Sequence, residues 1–231
     1  MAFFSNIMEA QNSISNKINA RITSGYQVRM PLYFGMAWDL VKRNMGLFVT
    51  YTMIYAAFLV LAWKLGDVGR YMNFILNGPI IAGYYIMIHR MVTGKAYSFE
   101  NFFDGFKIFL PVMAASMASG LLTGIGALFF IIPGLIIAQL LMFVLPLVIF
   151  GRTETWSALK FSQMIIWRQF WDMTKFGVII LLMNLASAFT FGIATLITVP
   201  LSFAAIYFAY TDIIGIEEKP EDEKPDFSHF R

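Results

Sequence analysis

The chain has 231 residues, of which 58% are hydrophobic and only 13% charged, and a mean hydropathy of +0.67. A soluble domain is about a quarter charged, so this composition excludes an ordinary water-soluble fold and predicts an all-α, polytopic membrane protein. With no Cys, disulfides, thiol catalysis and thiolate-held metals are excluded, and the net charge of +3 acquires meaning only when mapped by side.

Residues 1–30 carry no basic start followed by an apolar stretch, so no cleavable signal is expected, and "ISNKINARI" reads as a weakly amphipathic cytoplasmic helix. The first uncharged stretch, Met45 to Trp63, is long enough for one crossing. Tyr71 to Ile88 makes a second, interrupted by Gly78-Pro79. The run from Ile108 to Gly151 is uncharged throughout. As helix it would be roughly 65 Å long, about twice a hydrocarbon core of ~30 Å. Phe176 to Thr211 is similarly long and uncharged. Each long run therefore divides in two, with reversals expected at Pro133-Gly134 and near Pro200.

Six spans result, at about 45–64, 71–92, 108–132, 134–150, 175–198 and 201–216, inside a transmembrane domain covering 31–216. All of the 17 basic residues except Lys64 and Arg70 then fall on one side. The positive-inside rule places that side, with both termini, in the cytoplasm. Residues 217–231 are acidic with two Pro and read as a disordered tail.

The spans group into three units, each an amphipathic segment, a helix, a proline-marked turn and a returning helix. "NGP", "IIPG" and "TVP" mark the three turns. The clearest connector is "SFENFFDGFK". Phe99, Phe102, Phe103 and Phe106 follow an i, i+3, i+4, i+7 spacing, one face of an α-helix, with Ser98 as N-cap and Glu100, Asp104 and Lys107 facing water. Such a helix lies along the membrane surface, and its Phe face is a candidate docking surface. Residues 153–170 read similarly, with Trp156, Trp167 and Trp171 at interfacial depth.

Small residues recur every fourth position at Ser116, Gly120 and Gly124, and again along Asn184, Ala188 and Gly192. Both stripes are candidate helix-packing seams within the chain, with a homodimer contact as the alternative. Polar residues at depth are few. Asn77, Tyr84, Gln139 and Asn184 are candidates either for interhelical hydrogen bonding or for lining a solute path. His89 and His229 have no evident partner in sequence. No nucleotide, zinc-protease or serine-hydrolase motif is present, so no catalytic residue, cofactor or metal is expected, and no nucleic acid. Membrane lipids and other membrane proteins are the expected partners.

The pieces "AWDLVKRNMGLF", "NGPIIAGYY", "FENFFDGFK", "ALFFIIPGLIIAQLLMFVLPLVI", "ALKFSQMI" and "TVPLSFAAIYFAYTDI" cover about residues 35–214. In order and spacing they resemble a group of bacterial membrane proteins sharing the architecture of the membrane domain attached to some glycerophosphodiester phosphodiesterases. The resemblance implies a six-helix protein of the bacterial inner membrane. It carries over no catalytic residue, and the chain has no phosphodiesterase domain. The function expected from all of this is non-enzymatic: a scaffold, assembly factor or accessory subunit. The alternative is a permease for a small uncharged or amphipathic solute.

Overall fold

A computed structural model describes residues 14–216, and among these every regular element is a helix. The acidic tail, His229 and the first 13 residues lie outside the described residues. Helix α1 covers 14–24 and ends at Gly25, whose positive φ of 75° closes the turn. Helix α2 (Met30–Arg43) starts with Pro31 in its first turn, where a missing N–H costs nothing. It is separated from α3 (Met45–Lys64) only by Asn44, whose side-chain amide donates back to the Leu40 carbonyl. Helix α4 (Gly66–Val92) follows at once, because Gly66 takes the left-handed conformation (φ 61°) that ends α3.

A 3-10 helix (Phe99–Ile108) leads into α5 (Phe109–Phe129). A single extended residue, Phe130, then turns the chain into α6 (Ile131–Leu140). The break before α7 (Val144–Phe150) is dictated by Pro146, which cannot donate to the carbonyl four residues back and clashes with it. Ser162 of α8 (Thr155–Arg168) covers that break: its hydroxyl donates to the Leu140 carbonyl (2.7 Å) and accepts the Phe143 N–H (3.2 Å). Irregular backbone at membrane depth needs such a partner. Helix α9 (Phe170–Ala186), a 3-10 turn (Ser187–Thr190) and α10 (Thr195–Ile213) complete the fold.

The prolines expected at the three reversals all lie inside helices instead. Pro79 is within the uninterrupted α4, and the reversal ahead of it is at Leu65-Gly66. Pro133 is the third residue of α6, where its absent N–H is an orphan position anyway; the reversal is at Phe130. Pro200 is buried inside α10, and the chain turns through Phe191 and Gly192, both with positive φ. The expected boundaries at 132/134 and 198/201 move accordingly.

Among the described residues, four segments are long and apolar enough to cross a membrane: Met45–Lys64, Phe99–Phe129, Ile131–Phe150 and Thr195–Ile213. Of the six expected crossings, α4, with Asn73, Asn77 and Pro79, and α9, only 17 residues long, are not among them.

The core lies at the end of the bundle bearing the basic residues. Tyr33, Phe48, Tyr51, Tyr84, Phe102, Phe143, Phe176, Tyr207, Phe208 and Tyr210 are all fully buried there, contributed by α2, α3, α4, α9, α10, the 3-10 connector and the break before α7. Helix α10 runs through the middle of it, against α2, α3, α4 and α9. At the opposite end the side chains point outward: Leu128 is 86% exposed, Phe130 75% and Phe191 99%.

Candidate functional site

The Phe segment is set by its helix type. A 3-10 helix has three residues per turn, so residues three apart share a face, and the four-Phe stripe of an α-helix does not form. Phe99, Phe102, Gly105 and Ile108 fall together, and Phe103 and Phe106 fall on the next face. The inner set packs. Phe102 is fully buried and stacks on Tyr51 at 4.2 Å between ring centroids, with edge contacts to Phe48 and Tyr84. Gly105 allows the segment to lie on α4: a Cβ there would be 2.1 Å from the Pro79 carbonyl oxygen, and one at Gly83 would be 2.0 Å from that of Phe102. The expected four-residue docking face is thus reduced to Phe103 and Phe106, which are exposed.

Asp104, expected in water, is buried. It accepts from Asn101 (3.0 Å) and pairs with Lys107 (2.7 Å) and with Arg90 of α4 (3.3 Å). Asn101 in turn accepts the Ser98 backbone N–H (2.8 Å), so Ser98 opens this segment as expected of an N-cap position. The cluster clamps the connector to α4.

The four deep polar residues are spread over three seams. Asn77 accepts from Tyr55 (2.6 Å) and Tyr84 shares a hydrogen bond with Thr52 (2.9 Å), both between α3 and α4. Gln139 of α6 donates to Thr174 of α9 (3.0 Å). Asn184 of α9 donates to Ser202 (2.8 Å) and to the Ile180 carbonyl, and accepts from Thr198 (3.1 Å), closing α9 on α10. They do not converge on one site.

The small-residue stripes are placed differently from expectation. Gly124 is exposed with nothing within 4 Å of a Cβ, and Gly120 meets only the edge of Phe74 at 4.0 Å. Only Ser116 sits at a close contact, opposite Gly78 of α4. The tight crossing of α5 and α6 uses Gly126 and Gly134 instead; a Cβ on Gly134 would be 2.8 Å from that of Ala127. Gly192 lies in the turn before α10 with open space around it, Ala188 falls in the 3-10 turn, and the Ala188 side chain is outside the described residues.

His89 shares a hydrogen bond with the Tyr207 hydroxyl (2.9 Å) and lies against the Phe150 ring. It joins α4 to α10 rather than facing head groups. Among the described residues no group of three His, Cys, Asp or Glu is arranged to hold a metal.

A cluster that sequence inspection missed ties the two ends of the chain. Arg29 is paired through two nitrogens with Asp212 of α10, and Tyr33 donates to the same carboxylate at 2.5 Å. Burial, together with the bond to Asp212, raises the Tyr33 hydroxyl well above its ordinary titration range, so it stays a donor. Tyr26 donates to the Ile165 carbonyl (2.6 Å), Gln169 to that of Tyr26 (2.9 Å) and Arg168 to that of Ile22 (3.0 Å). These three bonds sew residues 22–26 to the end of α8. A cavity of about 320 Å³ opens beside Arg21, Gln27, Arg29 and Asp212, and one of about 530 Å³ between α1, α6 and α8. No local spacing signals either, because the partners come from opposite ends of the sequence.

Among the described residues, every regular element is helical and four helical segments are long and apolar enough to cross a membrane. No family profile, no curated protein and no solved structure matches the chain.

Proposed function

We propose that this chain is a non-enzymatic, six-span protein of the bacterial inner membrane, with both termini in the cytoplasm, acting as a scaffold, assembly factor or accessory subunit. In this reading α4 and α9 also cross, paired with α3 and α10. The charge distribution supports that orientation, with Lys64, Asp67 and Arg70 at the α3–α4 turn and nearly all other basic residues at the opposite end. The observation that carries the functional reading is that Asn77, Tyr84, Gln139 and Asn184 are each closed by a partner on a neighbouring helix. Such groups serve helix packing. The surface left for partners is aromatic and lies on the basic side, at Phe103 and Phe106.

The test is affinity purification of the full chain from its native membrane. A stoichiometric partner that is lost in the Phe103→Ser, Phe106→Ser double variant supports the scaffold. Phe102 is left alone in this test, since its removal would damage the core. Retention of the partner by the double variant would move the docking surface elsewhere. Orientation is checked by reporters fused at residues 96, 133 and 153: cytoplasmic, external and cytoplasmic, respectively. A cytoplasmic reading at 133 would sink the six-span arrangement.

A permease is the second reading. What favours it is that Asn73 Oδ1 on α4 and Ser119 Oγ on α5 are buried with no hydrogen-bond partner. Solute flux through proteoliposomes that Asn73→Leu abolishes would replace the scaffold reading with this one.

A further inference from the structure

The larger of the two cavities differs from every other feature on the basic side. It is lined by Ile22 of α1, Leu140 at the end of α6, and Gln163, Met164, Trp167 and Arg168 of α8. At about 530 Å³ it falls within the ~300–1,000 Å³ typical of small-molecule sites. Its apolar wall and single cationic edge match an amphiphile with an anionic head.

Three further observations identify that amphiphile. Arg168 uses Nε to hold the Ile22 carbonyl, and among the described residues no carboxylate pairs with it. The nearest acidic side chain in sequence, Asp172, is taken by Lys175 at 2.9 Å. The outer face of α8 and the start of α9 carry Trp156, Trp167 and Trp171, each at least 65% exposed, with Lys160 over the Trp156 ring. Trp in such positions marks the level of lipid head groups, and unpaired Arg at that level draws anionic lipid.

We propose that this groove seats one acyl chain of an anionic phospholipid from the basic-side leaflet, its phosphate held by Arg168. The inference rests on the reading of α8 as a membrane-surface helix. The guanidinium is held in place by its bond to Ile22, so two Nη groups are presented to a phosphate in a fixed plane. The lipid would cover the seam where α1 is sewn to α8.

The chain has no Cys, so one introduced thiol is the sole labelling site. Full-length Gln163→Cys, carrying a fluorophore and held in zwitterionic micelles, is titrated with phosphatidylglycerol bearing brominated acyl chains. Saturable quenching is expected, about fivefold tighter than with brominated phosphatidylcholine, the contribution of one basic residue near an anionic surface. Arg168→Gln should erase that difference, and millimolar inorganic phosphate should not reverse the quenching. Equal affinity for the two lipids would overturn the head-group contact. Release by inorganic phosphate would reassign the site to a free anion. A second label at Leu128→Cys separates failures: quenching at 128 but not at 163 sinks the lipid groove alone, and quenching at neither sinks the membrane reading with it.

Discussion

The two ends of this bundle bury their apolar residues in different ways. At the basic end, buried aromatic side chains from five helices and the connector pack onto one another, and the tyrosine hydroxyls of Tyr26, Tyr33, Tyr51 and Tyr84 each reach a partner. At the other end, the turns between α5 and α6 and between α9 and α10 present Leu, Phe and Ile outward. The first end is organised like the interior of a water-soluble domain and keeps its contacts in any solvent. The second acquires an apolar environment only from lipid. Stability measured in a micelle should therefore report mainly the packed end, and the two ends should answer differently to the same kind of substitution.

The sharpest contrast is between neighbouring phenylalanines. Phe102→Ala should lower the free energy of unfolding by about 3–5 kcal/mol, the cost of emptying a fully packed aromatic site. Phe103→Ala, one residue on, should cost less than about 1 kcal/mol. Chemical unfolding in micelles, followed by near-ultraviolet circular dichroism, separates them; equal losses would mean that the segment is an α-helix with all four rings on one face.

Glycines come next, and here the sign should change. Gly83→Ala or Gly105→Ala forces a methyl into a backbone carbonyl and should cost about 1–3 kcal/mol. Gly124→Ala meets nothing and should gain about 0.5–1 kcal/mol of helix propensity. A loss at Gly124 comparable to that at Gly83 would place a second copy of the chain against that face. A smaller effect is expected at Asn184→Leu, about 1 kcal/mol, because interhelical hydrogen bonds in membrane bundles contribute modestly. Smallest of all should be Leu128→Ala, within about 0.5 kcal/mol in the same assay. A large loss there would show that the outer turns are packed in the micelle.

What could be read from the chain beforehand follows from the physics of each feature. Long uncharged runs are a property of composition, so an all-helical chain with segments long and apolar enough to cross a membrane was legible. That an amide such as Asn184 or Gln139 in an apolar run must find a partner was legible too, since nothing else there can satisfy it. Which residue answers was not, because Ser202 and Thr174 are set by how the helices cross. The prolines misled because helices surrounded by protein or lipid tolerate them, so Pro79 and Pro200 do not mark turns. The Phe segment misled for a different reason. The same spacing has one meaning at 3.6 residues per turn and another at three, and only contact with α4 through Gly83 and Gly105 selects the tighter helix. The Arg29–Asp212 pair was invisible for want of any local signature.

The placement of α10 has a consequence for how the protein is made. Chains emerge from the ribosome N-terminal end first, at about 5–20 residues per second. Yet the most thoroughly enclosed of the four span-length segments is α10, the last helix among the described residues, with Tyr207, Phe208 and Tyr210 in its buried face and Asp212 locked to Arg29. Earlier helices must therefore wait, inserted but incomplete, with a vacant slot along α2, α3 and α4. A chain that stops short of Thr195 thus lacks the piece against which α2, α3, α4 and α9 pack.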